Sequence, residues 1–223
     1  MADIDGDGHL DVVVADLGGY LKVYPGDGNG GFPAQNVVFQ KSTTLRRLWA
    51  ADLDGDGRPE ILAGSDLNAL RVFANRGDKL QAPMEYPTLN IAFGITVADL
   101  DLDGKSEVLV TNADRISVFP NIGGGKLGTR LDIAVGSKSP MDTAEDVAVA
   151  DLDGDGGPDL AVESSLGQVT ALFNLGGLRF GRPVDYWFTS DGRGMRIADV
   201  NRDGRPDLIA GGYTVAVGLN SCW

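Results

Sequence analysis

The chain has one cysteine, Cys222, and one histidine, His9, among its 223 residues. A lone thiol excludes an internal disulfide, and a zinc site of the usual nitrogen and sulfur kind has almost no ligands to draw on. No apolar run approaches the roughly 20 residues of a membrane helix, so membrane insertion by helices is not expected. No signal-peptide pattern is expected at Met1-Ala2, which aligns with the apolar runs before the later loops. Nucleophilic catalysis finds little to use, because there is no G-x-S-x-G elbow and neither His9 nor Cys222 has a partner in sequence. Basic residues are outnumbered by acidic ones, 19 against 32, for a net charge of -13. With no basic stripe to offset that charge, nucleic acid is not an expected partner.

What the chain has in plenty is acid and glycine, in a fixed arrangement. Nine-residue loops begin at Asp3, Asp52, Asp99, Asp151 and Asp199, and each follows an apolar run. Positions 1, 3, 5 and 9 carry oxygen-bearing side chains: Asp3, Asp5, Asp7 and Asp11; Asp52, Asp54, Asp56 and Glu60; Asp99, Asp101, Asp103 and Glu107; Asp151, Asp153, Asp155 and Asp159; Asp199, Asn201, Asp203 and Asp207. Position 6 is always glycine, which permits the sharp bend a loop needs to wrap an ion. Calcium takes about six to eight oxygens at roughly 2.3 to 2.6 Å, and alternate residues of a tight loop can converge on one centre. Position 7, occupied by His9, Arg58, Lys105, Gly157 and Arg205, would contribute its backbone carbonyl. One such loop is an ordinary solvated turn; five with the ninth-position acid kept are a ligand set. The expectation is about five bound Ca2+ ions. The loops hold 19 of the 32 acidic residues, so five divalent ions would bring the charge from -13 to about -3.

A helix-loop-helix calcium site is excluded by position 12, where a bidentate glutamate would be needed and Val14, Ala63, Val110, Val162 and Ala210 stand instead. The residues after each ninth-position acid form short aliphatic runs, such as Val12-Val13-Val14 and Leu160-Ala161-Val162, which read as buried strands. The metal loop therefore joins strand to strand. Spacings of 49, 47, 52 and 48 residues between loops point to a repeat of several short strands, the signature of a propeller. The expected fold is all-β: a β-propeller of about five four-stranded blades, the first and last incomplete, with the metal loop between strands one and two of each. Residues 1–223 read as one domain with repeats starting near 3, 52, 99, 151 and 199. Met1-Ala2 aligns with Ala50-Ala51 of the next repeat, so the chain reads as an excised part of a longer protein.

The pattern D-x-[DN]-x-D-G-x-x-[DE], with N-x-G turns at Asn75-Arg76-Gly77, Asn121-Ile122-Gly123 and Asn174-Leu175-Gly176, resembles the FG-GAP and VCBS-type repeat family. Those repeats also occur in integrin α subunits and in some lectins. The resemblance implies a calcium-bearing propeller, expected to act as a binding or adhesion module for carbohydrate or an extracellular protein; with no nucleophile beside a base in the sequence, an enzyme is not expected. Two other readings stay open: the propeller domain of a secreted polysaccharide-degrading, lyase-like enzyme, and a purely structural spacer. A catalytic carboxylate pair would come from Asp142, Glu145, Asp146, Glu163, Asp185 or Asp191. Loops of this kind in extracellular modules bind calcium near 10⁻⁴ to 10⁻³ M, roughly, so an extracellular or periplasmic location is expected.

Ligand-binding residues are expected on the face opposite the metal loops, whose turns vary most between repeats. Arg46, Arg47 and Arg193 are placed in linkers of that face, and Trp187 at the end of a fourth strand could stack on a sugar ring. Trp49 is expected in the core. Gly123, Gly125 and Gly128 match G-x-G-x-x-G, but in a strand-to-strand turn with no helix to receive a phosphate. Arg76-Gly77-Asp78 fills a similar turn.

Overall fold

The computed structural model describes residues 1–16, 18–34, 36–40, 44–77, 79–135, 142–188 and 191–221, with residues 36–40 described as backbone. Cys222, Trp223 and Asp78 lie outside them. In chain order the strands are β1 (Val12–Ala15), β2 (Tyr20–Tyr24) and β3 (Asn36–Gln40), then β4 (Leu45–Ala51), β5 (Glu60–Ser65), β6 (Ala69–Phe73) and β7 (Met84–Pro87). They continue as β8 (Ile95–Ala98), β9 (Glu107–Asn112), β10 (Arg115–Phe119) and β11 (Leu131–Ala134), and as β12 (Ala144–Ala150), β13 (Asp159–Ser164), β14 (Gln168–Leu172) and β15 (Val184–Trp187). β16 (Gly194–Ala198), β17 (Asp207–Gly211) and β18 (Val215–Gly218) close the series. Among the described residues these form five sheets, each a meander in sequence order, with three strands in the first and last and four in the others. Each loop of the acidic pattern joins the first strand of a sheet, or the Ala2–Asp11 bridge that stands in its place, to the second. Among the described residues no helix is long and apolar enough to cross a membrane.

Middle strands are buried on both faces, which is why they read as unbroken apolar runs: β5, β6, β9 and β14 are buried throughout. Outer strands such as β7 and β11 alternate or lie open. Each complete sheet also carries one polar cross-strand pair between its third and fourth strands. Arg71 lies opposite Glu85, Ser117 opposite Asp132 and Thr170 opposite Asp185, with hydrogen bonds of 3.0, 2.7 and 2.9 Å. Asp185 is thereby committed to a structural bond.

The chain divides into two compact units, Met1–Ile95 with Asn121–Gly128, and Thr96–Pro120 with Thr129–Trp223. The first has a core of Ile4, Leu21, Val23, Leu45, Ile61, Phe73 and Leu80. In the second, one cluster gathers around Leu109, Ile116, Val147, Leu160 and Leu172, and another around Ala161, Val169, Met195 and Ala210. Fully burying one such leucine, isoleucine or phenylalanine is worth about 1.5 to 3 kcal/mol.

Two expectations are corrected. β4 starts at Leu45, so Arg46 and Arg47 lie on a strand and not in a linker; the register shifts between Leu45 and Leu48, a bulge that accommodates both arginines. Trp49 is 41% exposed and not in the core, because its side chain falls on the open side of that strand.

Candidate metal loops

The loops fold around their own carboxylates. Asp3 at position 1 accepts the N–H groups of Gly6 at 2.7 Å and Gly8 at 2.9 Å. Asp52 does the same with Gly55 and Gly57, and Asp151 with Gly154 and Gly156. These glycines sit at φ between 79° and 89°, a region costly for other residues. In the third and fifth loops Leu102 and Arg202 hold position 4 at φ of 60° and 64°. There the first aspartate keeps the position-6 glycine amide at 2.9 Å and accepts the position-5 amide in place of position 4, Asp99 from Asp103 at 3.0 Å and Asp199 from Asp203 at 3.1 Å.

The ninth-position acid is a hub between strands. Asp11, Glu60, Glu107, Asp159 and Asp207 are all at most 2% exposed. Asp159 accepts from the Leu152 amide at 2.8 Å and the Asn174 amide at 2.7 Å, so it ties the loop to the end of β14. Asp11, Glu60 and Asp207 bridge the equivalent pairs, Ile4 and Gly26, Leu53 and Asn75, Val200 and Asn220. Burial pushes the Glu60 and Asp159 carboxyls above their ordinary range, since the charged form is poorly solvated there. Asp207 is held below its range, chiefly by the hydrogen bond from Asn220.

A second conserved-geometry device was missed in the sequence, although its N-x-G signal was visible. The Asn75 side chain donates to the Ile4 carbonyl at 2.8 Å and the Pro59 carbonyl at 3.2 Å, and accepts from the Gly77 amide at 3.0 Å. Asn121, Asn174 and Asn220 reach the carbonyls of Leu53, Leu100 and Leu152 in the same way, at 2.8 to 2.9 Å. Each asparagine thus bolts its own repeat to position 2 of the preceding metal loop. Sequence spacing alone does not place residues some 70 apart in contact.

Four loops bring three carboxylates together: Asp3, Asp5 and Asp11; Asp52, Asp54 and Glu60; Asp99, Asp101 and Glu107; Asp151, Asp153 and Asp159. In each set the candidate ligand oxygens lie within 4.8 Å of one another. A hard cation fits this donor set, which is all oxygen and crowds like charge that an ion would neutralise. Positions 5 and 7 are engaged with each other. Asp7, Asp56, Asp103, Asp155 and Asp203 accept the amides of His9, Arg58, Lys105, Gly157 and Arg205 at 2.7 to 3.0 Å. At position 7 the His9 ring packs over Gly28 and the Arg58 guanidinium lies against Gly77. Arg58 also pairs with Asp56 at 2.9 Å, Arg76 with Asp54 at 3.5 Å and Lys105 with Asp103 at 2.8 Å. The fifth loop differs, since the Asn201 amide donates to Asp203 at 3.0 Å.

The four proposed ligand contacts divide between the units. In the first, Arg46 is exposed and Arg47 donates to the Phe93 carbonyl at 3.0 Å. In the second, Trp187 is 67% exposed at the end of β15, and Arg193 pairs with Asp191 at 3.2 Å. That ion pair raises the Arg193 pKa. Of the other acids, Asp142 accepts from the Ser165 hydroxyl at 3.2 Å and Glu145 from the Thr143 hydroxyl at 2.7 Å. The G-x-G-x-x-G match falls between β10 and β11, with no helix after it.

A family model described as FG-GAP-like repeat matches the chain three times, over residues 3–63, 52–110 and 99–162. Among solved structures, an Agrocybe aegerita lectin described as recognising non-reducing terminal N-acetylglucosamine is similar at 21% identity and a TM-score of 0.68, over 99% of this chain and 61% of that one. BBS1N, solved in complex with ARL6DN, is similar at 17% identity and a TM-score of 0.67, over 100% of this chain and 63% of that one. The V. cholerae biofilm matrix protein Bap1 is similar at 22% identity and a TM-score of 0.60, over 97% and 36%. The chain thus spans about three fifths of the length of the first two. No curated protein matches it.

Proposed function

The chain belongs to the FG-GAP-like repeat family and has its β-propeller fold, and from that premise we propose that it is a calcium-stabilised binding module rather than an enzyme. The observation that carries this reading is the recurrence of one three-carboxylate cluster in four successive repeats. Carboxylates at positions 1, 3 and 9 would hold each ion, with the position-5 side chain and the position-7 carbonyl completing the shell. The bound ion supplies charge neutralisation and holds the two strands that flank its loop. A fifth ion at Asp199, Asn201 and Asp207 would be held more weakly, by one charge fewer. The blades then number five, and the ions set an extracellular or periplasmic working place, where calcium is millimolar.

The ligand class we assign is carbohydrate or another extracellular protein. Support comes from the sugar-recognising lectin among the similar structures and from Trp187, a large aromatic surface left open to solvent. A glycan array probed in millimolar calcium and again in chelator tests this directly. Calcium-dependent retention of a glycan, weakened by Trp187→Ala, is the expected result. Release of oligosaccharide products from a polysaccharide panel would replace the binding module with an enzyme.

A further inference from the structure

Counted from the first residue of each metal loop, the thirteenth residues are Ala15, Gly64, Thr111, Glu163 and Gly211. Only the fourth repeat puts a carboxyl group there, and the structure buries it completely. Space for it is made across the gap to the next sheet. In the second repeat a side chain on Gly64 would come within 2.8 Å of the Ala92 methyl group, whereas in the fourth the residue at Ala92's place is Gly192. A methyl group on Gly192 would collide with the Ser164 carbonyl and come within 2.9 Å of the Glu163 Cγ. The exchange of a Gly–Ala contact for a Glu–Gly contact is a matched change of shape, and a burial this costly needs a compensating role.

The surroundings of Glu163 make the charged form the expensive one. Its Oε2 accepts the Gly194 amide at 2.7 Å, while Oε1 is buried with no hydrogen-bond partner. Asp146 stands opposite Glu163 in the β12–β13 register, at a bulge centred on Glu145, and takes the next amide, that of Met195, at 3.2 Å. Two carboxyl groups of one sheet therefore grip two successive amides at the start of β16. From the facing elements, Asp191 accepts the Tyr213 amide at 2.8 Å and pairs with Arg193, and the exposed Arg196 lies 3.5 Å from Asp146. The two arginines thus serve Asp191 and Asp146, and among the described residues no cation pairs with Glu163.

We propose that Glu163 is a proton-operated latch between the β12–β15 and β16–β18 sheets, which hold together when it is neutral and loosen when it ionises. Burial, and after it the charges of Asp146, Asp191 and Glu145, hold the carboxyl at about 7 against an ordinary 4.5. Below the ordinary value the group is neutral in the folded and unfolded chain alike. Between there and about 7 the unfolded chain gives up its proton first, so stability falls as pH rises; above about 7 the loss is complete.

The test uses the whole chain in saturating calcium, so that the metal loops do not titrate. The carboxyl carbon of Glu163, followed by NMR and identified by its loss in Glu163→Gln, should titrate with a midpoint between pH 6 and 8. Hydrogen exchange at Gly194 and Met195, corrected for the intrinsic rate, should be about tenfold faster at pH 8.5 than at pH 5.5, and Glu163→Gln should abolish that difference. A midpoint below pH 5.5, or equal protection at both pH values in the unmodified chain, overturns the latch. Should Glu163→Gln fail to fold, Asp146→Asn serves instead: removing a neighbouring charge must lower the midpoint, and an unmoved one counts against the cluster.

Discussion

Position 4 of the metal loop is left-handed in every repeat, at Gly6, Gly55, Leu102, Gly154 and Arg202. Leu102 carries a branched side chain in a conformation that costs about 1 to 2 kcal/mol, and it is 67% exposed, so nothing is gained by burial. Leu102→Gly should therefore stabilise the protein by about 0.5 to 1 kcal/mol after the entropy of the added glycine is counted. Denaturant unfolding in constant calcium measures it, and a lower midpoint would contradict the strain argument. Asn75 is the opposite case, a small polar residue with a large role. Asn75→Ala removes donors to the Ile4 and Pro59 carbonyls and leaves them in a buried seam. A loss of about 2 kcal/mol is expected. For a chain of this length that is a fall of roughly 4 to 8 °C in melting temperature, read by calorimetry.

At the scale of the element, each metal loop ties the end of a first strand to the start of a second, and its ninth acid adds the end of the third. The loops are not equivalent. In the fourth, positions 1, 3 and 9 converge and position 7 is Gly157; in the second, Arg58 and Arg76 stand on Asp56 and Asp54 and must be displaced or shared when an ion enters. Asp153→Ala with Asp155→Ala should remove one calcium per chain, by elemental analysis, and lower the melting temperature by about 3 to 6 °C. Loss of every ion at once would mean that the sites are coupled and not independent. Strand identity was legible at this scale, because β5, β9 and β13 begin on their ninth acids and continue as apolar runs. The bulge in β4 was not, since Arg46 and Arg47 look like linker residues until their partners across the ladder are seen.

For the whole molecule, charge decides. Four clusters each crowd three carboxylates into a few ångströms, and the chain carries a net charge of -13. An ion bound only by the folded state, at ten times its dissociation constant, contributes about 1.4 kcal/mol, so four contribute roughly 6 kcal/mol. Total stability of a domain is about 5 to 15 kcal/mol. Excess chelator should accordingly lower the melting temperature by about 10 °C or more. An unchanged value in metal-free protein would show that the loops do not organise the fold. Glu163 adds a separate dependence on pH in the second unit, distinguishable because saturating calcium leaves it in place.

The sequence by itself determined the all-β repeat, the loop positions and the oxygen donor set, because each is written in a spacing of a few residues: alternation along a strand, and the 1, 3, 5, 9 pattern of a bend around an ion. Tertiary structure decided what depends on residues far apart in the chain. Position 5 stands aside with the position-7 amide while 1, 3 and 9 converge. Asparagines bolt loops some 70 residues away, as Asn174 does Leu100. Glu163 stood in the sequence as one of six acids from which a catalytic pair would come, and only its neighbours in the next sheet show it as a buried group gripping the Gly194 amide. Burial and desolvation are properties of what packs around a group, and a short stretch of sequence does not carry them.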